Sequence, residues 1–203
     1  MDVLASMKAS HDPGTPGAGF AQEVDAMLLA RAQRGDMQAF AALYERFGRP
    51  CFALSLRMLG QRQHAEDLVQ EVFLKMMDTI RSYRGDAPFG AWLKRMTVNA
   101  CIDHLRRQRG GGEDEVQLAQ MPGDGAEAAQ IVDAWSLLAR LPPRARAVLV
   151  LHEFEGYTHS EMAALFGQSE SYSKSILARA LGRLNSLVTA RPLDQVPVCL
   201  PKS

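Results

Sequence analysis

The sequence predicts an all-α protein built as two small helical units joined by a flexible acidic linker. Three observations predict it. Aromatic residues are only 7% of the chain, while Ala, Leu, Met, Arg, Gln and Glu are plentiful, a mix that favours helix over strand. Apolar residues recur at i, i+3, i+4 and i+7 through most of the chain. A polar, acidic, Gly-containing stretch over 113–130 separates two such regions. With 203 residues, 47% hydrophobic and 23% charged, the chain has room for one medium or two small globular domains.

Residues 1–22 are rich in Gly, Pro, Ser and Asp without a period, and read as a flexible tail. A helical pattern begins at Asp25 and pauses at Gly35-Asp36, where Asp36 is placed to cap the next helix. That helix carries Phe40, Leu43, Tyr44 and Phe47 on one apolar face, and Pro50 is expected to end it. Cys51, Leu54, Met58 and Leu59 mark another helix that stops near Gly60. The strongest period follows, through Ala65, Leu68, Val69, Val72, Phe73, Met76, Met77 and Ile80, a long amphipathic helix. A breaker-rich loop, SYRGDAPFGAW, leads to Pro88, which suits the first turn of a helix burying Phe89, Trp92, Leu93, Met96 and Ala100. Arg106, Arg107 and Arg109 followed by three glycines fit its C-terminal end. After the linker, helical pattern resumes near Ile131 with Ala134, Trp135 and Leu138. Leu141-Pro142-Pro143 then breaks it and starts a helix carrying Ala147, Val148 and Leu151.

Thr158–Leu181 carry the clearest local signature. Thr158 and Glu161 form a capping box, Met162, Leu165 and Phe166 give a buried face, and Gly167 supplies the turn. Ser169 is placed to cap a second helix with Leu177, Ala180, Leu181, Leu184 and Val188 inward and Lys174, Arg179 and Arg183 outward. A short helix, a tight turn and a longer basic helix make a helix-turn-helix, whose second helix enters a major groove. The groove-facing candidates are Ser171, Tyr172, Lys174 and Ser175, with Arg179 better placed for phosphate. The same pattern also fits an αα-hairpin in a plain bundle.

Charge and cysteine content exclude several classes. No apolar run reaches the length of a membrane span, and the N-terminus has no signal-peptide core. Cys51, Cys101 and Cys199 are odd in number and far apart with no CxxC, which argues against a disulfide framework or a structural zinc site and for a reducing cytoplasm. His64 and His104 lack partners at metal spacing, so no metal and no cofactor is expected. No nucleophile constellation is evident, so no catalytic residue is assigned and an enzyme is not expected. The net charge is zero, but it is unevenly spread. Lys94, Arg95, Arg106, Arg107 and Arg109 stand against Asp103 alone, and Ser171–Arg191 carries four bases and no acid. These are two candidate phosphate-binding surfaces.

On the long helix, Asp67, Gln70 and Glu71 share a patch opposite the apolar stripe, with Glu66 nearby. It fits either a solvated face or a docking patch for a basic partner. The loop and helix after it combine Tyr83, Phe89 and Trp92 with Arg84, Lys94, Arg95, Asn99, His104, Arg106 and Arg107. Aromatics stack unpaired bases while Arg and Lys track phosphates. Phe89 and Trp92 lie on the helix's own apolar stripe, which favours a core role for both.

Five segments carry a resemblance: LLARAQRGDMQAFAALYERF, AEDLVQEVFLKM, FGAWLKRMTVNACIDHLRR, LARLPPRARAVLVLHEFEGYTHSEMAALFG and SKSILARAL. In this order and with a short linker, the chain resembles a bacterial RNA polymerase sigma factor of the extracytoplasmic-function (ECF) group. The resemblance implies a region 2 unit over 23–112, a linker over 113–130, a region 4 unit over 131–190 and a C-terminal tail over 191–203. It implies a cytoplasmic, non-enzymatic protein that binds core RNA polymerase, directs it to promoters and promotes melting. Asp67, Leu68, Gln70 and Glu71 match the surface that docks on the clamp helices of the largest subunit. The loop Tyr83–Pro88 matches the element that receives a flipped −10 base. Tyr83, Arg84, Lys94, Arg95, Asn99, Asp103, Arg106 and Arg107 are the implied −10 contacts, and Ser171, Tyr172, Lys174, Ser175 and Arg179 the −35 contacts. An anti-sigma partner is also implied. Three positions depart from the family pattern: Ser173 stands where an apolar residue is usual, Ile176 where a basic one is frequent, and Tyr172 where Thr is usual. The competing reading is a stand-alone helix-turn-helix regulator that binds promoters without polymerase, which leaves the DLVQE patch unexplained.

Overall fold

A computed structural model describes residues 19–107 and 134–189, which contain eight α-helices and no strand. The expected linker over 113–130, Arg109, the three glycines after it and the C-terminal tail lie outside the described residues, as do the side chains of Trp135 and Val188.

Helix α1 (Ala26–Gln33) is capped by Asp25, whose side chain accepts from Met27 N. Arg31 and Asp36 pair at 2.7 Å across the following corner. Asp36 caps α2 (Met37–Leu59) as expected, accepting from Gln38 N at 2.9 Å and Ala39 N at 3.3 Å.

Pro50 does not end this helix; α2 runs through it to Gly60. A proline removes the hydrogen bond to the carbonyl four residues back, here Arg46 O. That carbonyl is satisfied from outside the helix, by Gln22 Nε2 at 3.0 Å. The same contact orders Gly19–Ala21, placed in the tail by the sequence reading, as a 3-10 turn with Phe20 packed on the core. Phe20 O lies so close to Gly90 that no Cβ fits there. Tyr44, expected inward, is 50% exposed and lies edge-on to Phe73. It sits about 100° round the helix from Leu43, at the margin of the buried face.

Helix α3 (Arg62–Thr79) buries Ala65, Leu68, Val69, Val72, Phe73 and Met76, and the 3-10 turn Ile80–Ser82 ends it. Helix α4 (Phe89–Arg107) packs against α2 and α3. Where α4 crosses α2, Cys101 Sγ lies 3.8 Å from Ser55 Oγ, and Thr97 Oγ1 lies 3.4 Å from Cys51 Sγ. Burial pushes both thiols up to about 12, so neither is a nucleophile near neutral pH.

The second unit comprises α5 (Ala134–Ala139), α6 (Pro143–Glu153), α7 (His159–Phe166) and α8 (Glu170–Thr189). Pro143 opens α6, as the proline pair suggested. The capping box of α7 is complete: Glu161 N donates to Thr158 Oγ1 at 3.2 Å, and Thr158 N donates to Glu161 Oε2 at 2.8 Å. Gly167 ends α7 at φ 62°, and Ser169 Oγ accepts from Tyr172 N at the start of α8.

The two units do not stand apart. Residues 144–151 of α6 are buried on every side, and α6 packs on α2 as well as on α8, so one apolar cluster runs through both units. Arg146 joins them. Its Nε donates to Met58 O at 3.1 Å and its Nη2 to Leu59 O, carbonyls at the end of α2 that no helical donor reaches. Its Nη1 meets Ala139 O and Leu141 O of its own unit. Glu155 adds a second bridge, to Arg57 at 3.1 Å and Lys94 at 2.6 Å. An α6 buried all round from 144 to 151 cannot be covered by α8 alone, and α2 supplies the remaining cover.

Three stability predictions arise. Gly60 has φ 73°, and a Cβ there would meet the Arg146 guanidinium at 2.5 Å. Gly60→Ala is expected to destabilise by about 1–3 kcal/mol. Gly182→Ala, in open space on α8, is expected to stabilise by roughly 0.5–1 kcal/mol; denaturant midpoints of the two variants check the pair. Glu161 is held below its ordinary 4.5 by hydrogen bonds from Thr158. A lowered folded pKa stabilises above the ordinary value and loses that contribution as pH falls through the lowered one. The stability gap between wild type and Glu161→Ala should therefore shrink on acidification, read from urea midpoints near neutral and well below pH 4.5.

Candidate polymerase-docking and nucleic-acid interface

Helix α3 turns its apolar stripe to α2 and α4, which leaves Asp67, Gln70 and Glu71 exposed together. Leu68, expected in the docking surface, is 1% exposed. It falls on the inward stripe and supports the patch from beneath. Glu71 pairs with Arg107 of α4 at 3.5 Å and Arg62 with Glu66 at 2.8 Å, all exposed. A shallow groove beside Gln70 is lined by Tyr44, Gly48, Phe52 and Val69.

The loop between α3 and α4 is a compact turn. Tyr83 Oη donates to Ala87 O at 2.6 Å, Gly85 adopts φ 83°, and the Tyr83 ring packs edge-on to Phe89 and against Trp92. Burial and the nearby Asp86 carboxylate raise the Tyr83 pKa, so the phenol stays a donor. Arg84, Gly85, Asp86, Ala87 and Pro88 are exposed around it. Phe89 is buried and Trp92 half-buried, in keeping with a core role.

Along α4, Arg95, Asn99, Asp103 and Arg106 recur at i, i+4, i+8 and i+11 and share one side of the helix. Asp103 and Arg106 pair at 3.5 Å. Lys94 stands about 100° away from Arg95, bound to Glu155 and over the Tyr157 ring. Arg106 donates to Leu165 O at 2.5 Å, closing on the end of α7. Two of the expected −10 cations are thus held by the second unit in this arrangement. Neighbouring His64 and His104 rings lie 4.7 Å apart, and burial, with the adjoining His64 and Arg107, lowers the His104 pKa. Among the described residues, no group of three or more His, Cys, Asp or Glu could hold a metal, and no helix is long and apolar enough to cross a membrane.

On α8, Ser171, Lys174 and Ser175 are exposed on one side, with Arg179 beside them bonded to Ser175. Lys174 also meets Glu170 at 3.5 Å. Tyr172, expected to face a groove, turns toward α6, where its hydroxyl accepts from Arg144 Nη1 at 3.1 Å. Arg144 is 2% exposed and lies over the Phe166 and Tyr172 rings. The departures at Ser173 and Ile176 are both buried. Ser173 Oγ donates to Glu170 O and lies 2.9 Å from His159 Nδ1, so a polar residue is satisfied where an apolar one is usual.

Sequence reasoning missed Arg144, Arg146, Glu155 and Gln33. The two arginines had a visible signal, charges inside the apolar run LPPRARAVLVL, which are stable only when hydrogen-bonded. Glu155 and Gln33 had none, because their partners are distant in sequence.

The chain matches the family model for Sigma-70 region 2 over residues 43–110 and that for Sigma-70, region 4 over residues 131–184. It is 32% identical over 177 residues to the ECF RNA polymerase sigma factor SigM of Mycobacterium tuberculosis, covering 85% of this chain and 90% of that one. It is 31% identical over 160 residues to the RNA polymerase sigma-H factor of Pseudomonas aeruginosa, covering 71% and 83%. Among solved structures, CnrH in complex with the cytosolic domain of CnrY is 28% identical, covers 82% of this chain and 97% of that chain, and gives a TM-score of 0.48. Both sigma regions in their order, with relatives that share most of the length, place the chain in one family: it belongs to the ECF group of RNA polymerase sigma factors.

Proposed function

We propose that the chain binds core RNA polymerase, directs it to promoters through separate −10 and −35 contacts, and promotes strand opening, while the polymerase performs the chemistry. The observation that supports it most is the pairing, in one chain, of the exposed Asp67, Gln70 and Glu71 patch with a capped helix-turn-helix whose second helix exposes Ser171, Lys174 and Ser175. In this reading the patch docks on the largest subunit's clamp helices through basic and polar partners. The unit over 23–112 handles the −10 element. Tyr83 and Arg84 frame the loop that takes an unstacked base, and Arg95, Asn99, Asp103, Arg106 and Arg107 follow the strand along α4. The unit over 131–190 reads the −35 duplex with Ser171, Lys174 and Ser175, and Arg179 holds phosphate. Two weak DNA contacts on one polymerase act together through effective concentration.

Lys94 and Arg106 join the −10 set only on leaving Glu155 and Leu165 O, so strand binding by these residues and the closed arrangement exclude each other. An anti-sigma partner and a cytoplasmic site of action belong to the same reading, through membership of the ECF group.

The test is co-elution with core RNA polymerase, followed by transcription from a genomic promoter library. New start sites are the expected result; duplex binding by the free protein without polymerase contact would replace this reading with the stand-alone regulator. Asp67→Lys is expected to weaken polymerase binding by about tenfold or more with an unchanged circular dichroism spectrum, because the side chain is exposed. Lys174→Ala with Arg179→Ala is expected to reduce the slope of log affinity against log salt for the −35 duplex by about 2.

A further inference from the structure

The loop Tyr83–Pro88 is short, exposed and breaker-rich, yet it must hold a fixed shape to accept one base and refuse others. Its internal restraints are the Tyr83 Oη to Ala87 O bond and the left-handed turn at Gly85. These fix the loop's curvature but not its place on the protein. That place is set by the Tyr83 ring against Phe89 and Trp92 and by the loop's entry, the 3-10 turn Ile80–Ser82, in which Tyr83 N donates to Ile80 O.

One side chain from outside the loop holds this entry. Gln33, the last residue of α1, donates from Nε2 to Tyr83 O at 3.0 Å and to Ile80 O at 3.3 Å. A primary amide has two N–H groups, so one nitrogen serves both carbonyls at the two ends of the turn. The geometry excludes an acceptor at that position, since both partners are carbonyl oxygens. Gln33 is itself fixed. It is half-buried, α1 packs on α2, and the corner after it leads directly into Asp36, the cap of α2. The end of α1 thus reaches across roughly fifty residues of sequence to hold the loop's entry.

We propose that Gln33 is a positioning residue for base recognition: by tying Ile80 O and Tyr83 O it places the base-accepting loop, without itself touching DNA. This rests on the reading that the loop Tyr83–Pro88 takes an unstacked −10 base. Gln33 acts only through the loop, so its contribution exists only when there is a base for the loop to hold.

The experiment uses holoenzyme reconstituted with core RNA polymerase and fork-junction DNA carrying the −10 strand. The strand is either intact or abasic at one position, scanned along the element. Gln33→Glu keeps the shape and removes the donor; Gln33→Ala removes both and serves if the carboxylate disturbs folding. The expected result is unchanged affinity for core polymerase and for −35 duplex. Affinity for the intact strand falls about tenfold, as expected for two lost hydrogen bonds. On the strand abasic at the position the wild type reads, variant and wild type bind alike. An equal penalty on intact and abasic strands would overturn the proposal by making Gln33 a general stability residue, and so would the absence of any penalty. If no abasic position weakens the wild type, the base-accepting reading of the loop fails, and the proposal falls with it.

Discussion

The C-terminal end of α2 is the constraint on which the arrangement depends. A helix leaves its last carbonyls without donors, and here that end is buried between two units where water does not satisfy them. The Arg146 guanidinium supplies the missing donors to Met58 O and Leu59 O, and Gly60 leaves room for it at a left-handed cap. Burial pulls the Arg146 pKa down to about 10, still well above neutrality, so the charge persists and needs its hydrogen bonds. The dependence is mutual: Arg146 without the α2 carbonyls is a buried cation short of acceptors, and the α2 end without Arg146 is a buried row of orphaned oxygens. The apolar face of α6 adds non-directional burial around this directional contact.

The polar surfaces divide according to how firmly each charge is held. Glu155 is nearly buried and grips Arg57 and Lys94, a pairing strengthened by exclusion of water. The Glu71–Arg107 and Lys174–Glu170 pairs are exposed, and such pairs contribute little and exchange readily for other partners. The proposed docking patch and the outer face of α8 are therefore available as they stand. The residues proposed for the −10 contacts differ among themselves, because Lys94 and Arg106 are engaged with the second unit while Arg84 and Arg95 are exposed.

The positions that depart from the family pattern on α8 have local explanations. Ser173 is inward and satisfied by Glu170 O and His159, Ile176 joins the core, and Tyr172 pairs with Arg144 instead of pointing outward. The face proposed to read the −35 element is left to the short residues Ser171 and Ser175 together with Lys174 and Arg179. A face of small side chains admits close approach of a groove, with specificity resting on few contacts.

The sequence by itself determined what depends on neighbours within a turn or two of helix. The Asp36 cap, the Thr158–Glu161 box, the Gly167 turn, the apolar stripe of α3 and the opposing Asp67–Gln70–Glu71 patch all follow from spacings of two to four residues, which helical geometry makes local. Tertiary structure decided the rest. Pro50 sits within a helix because Gln22 satisfies Arg46 O, and Leu68 belongs to the core. Tyr44 stays exposed, Tyr172 turns inward, and Arg146, Glu155 and Gln33 act on partners 47 to 98 residues away. A hydrogen bond over that separation leaves no periodic trace, since either partner alone looks like an ordinary polar residue. Only the packed chain brings the donor to the carbonyl that needs it.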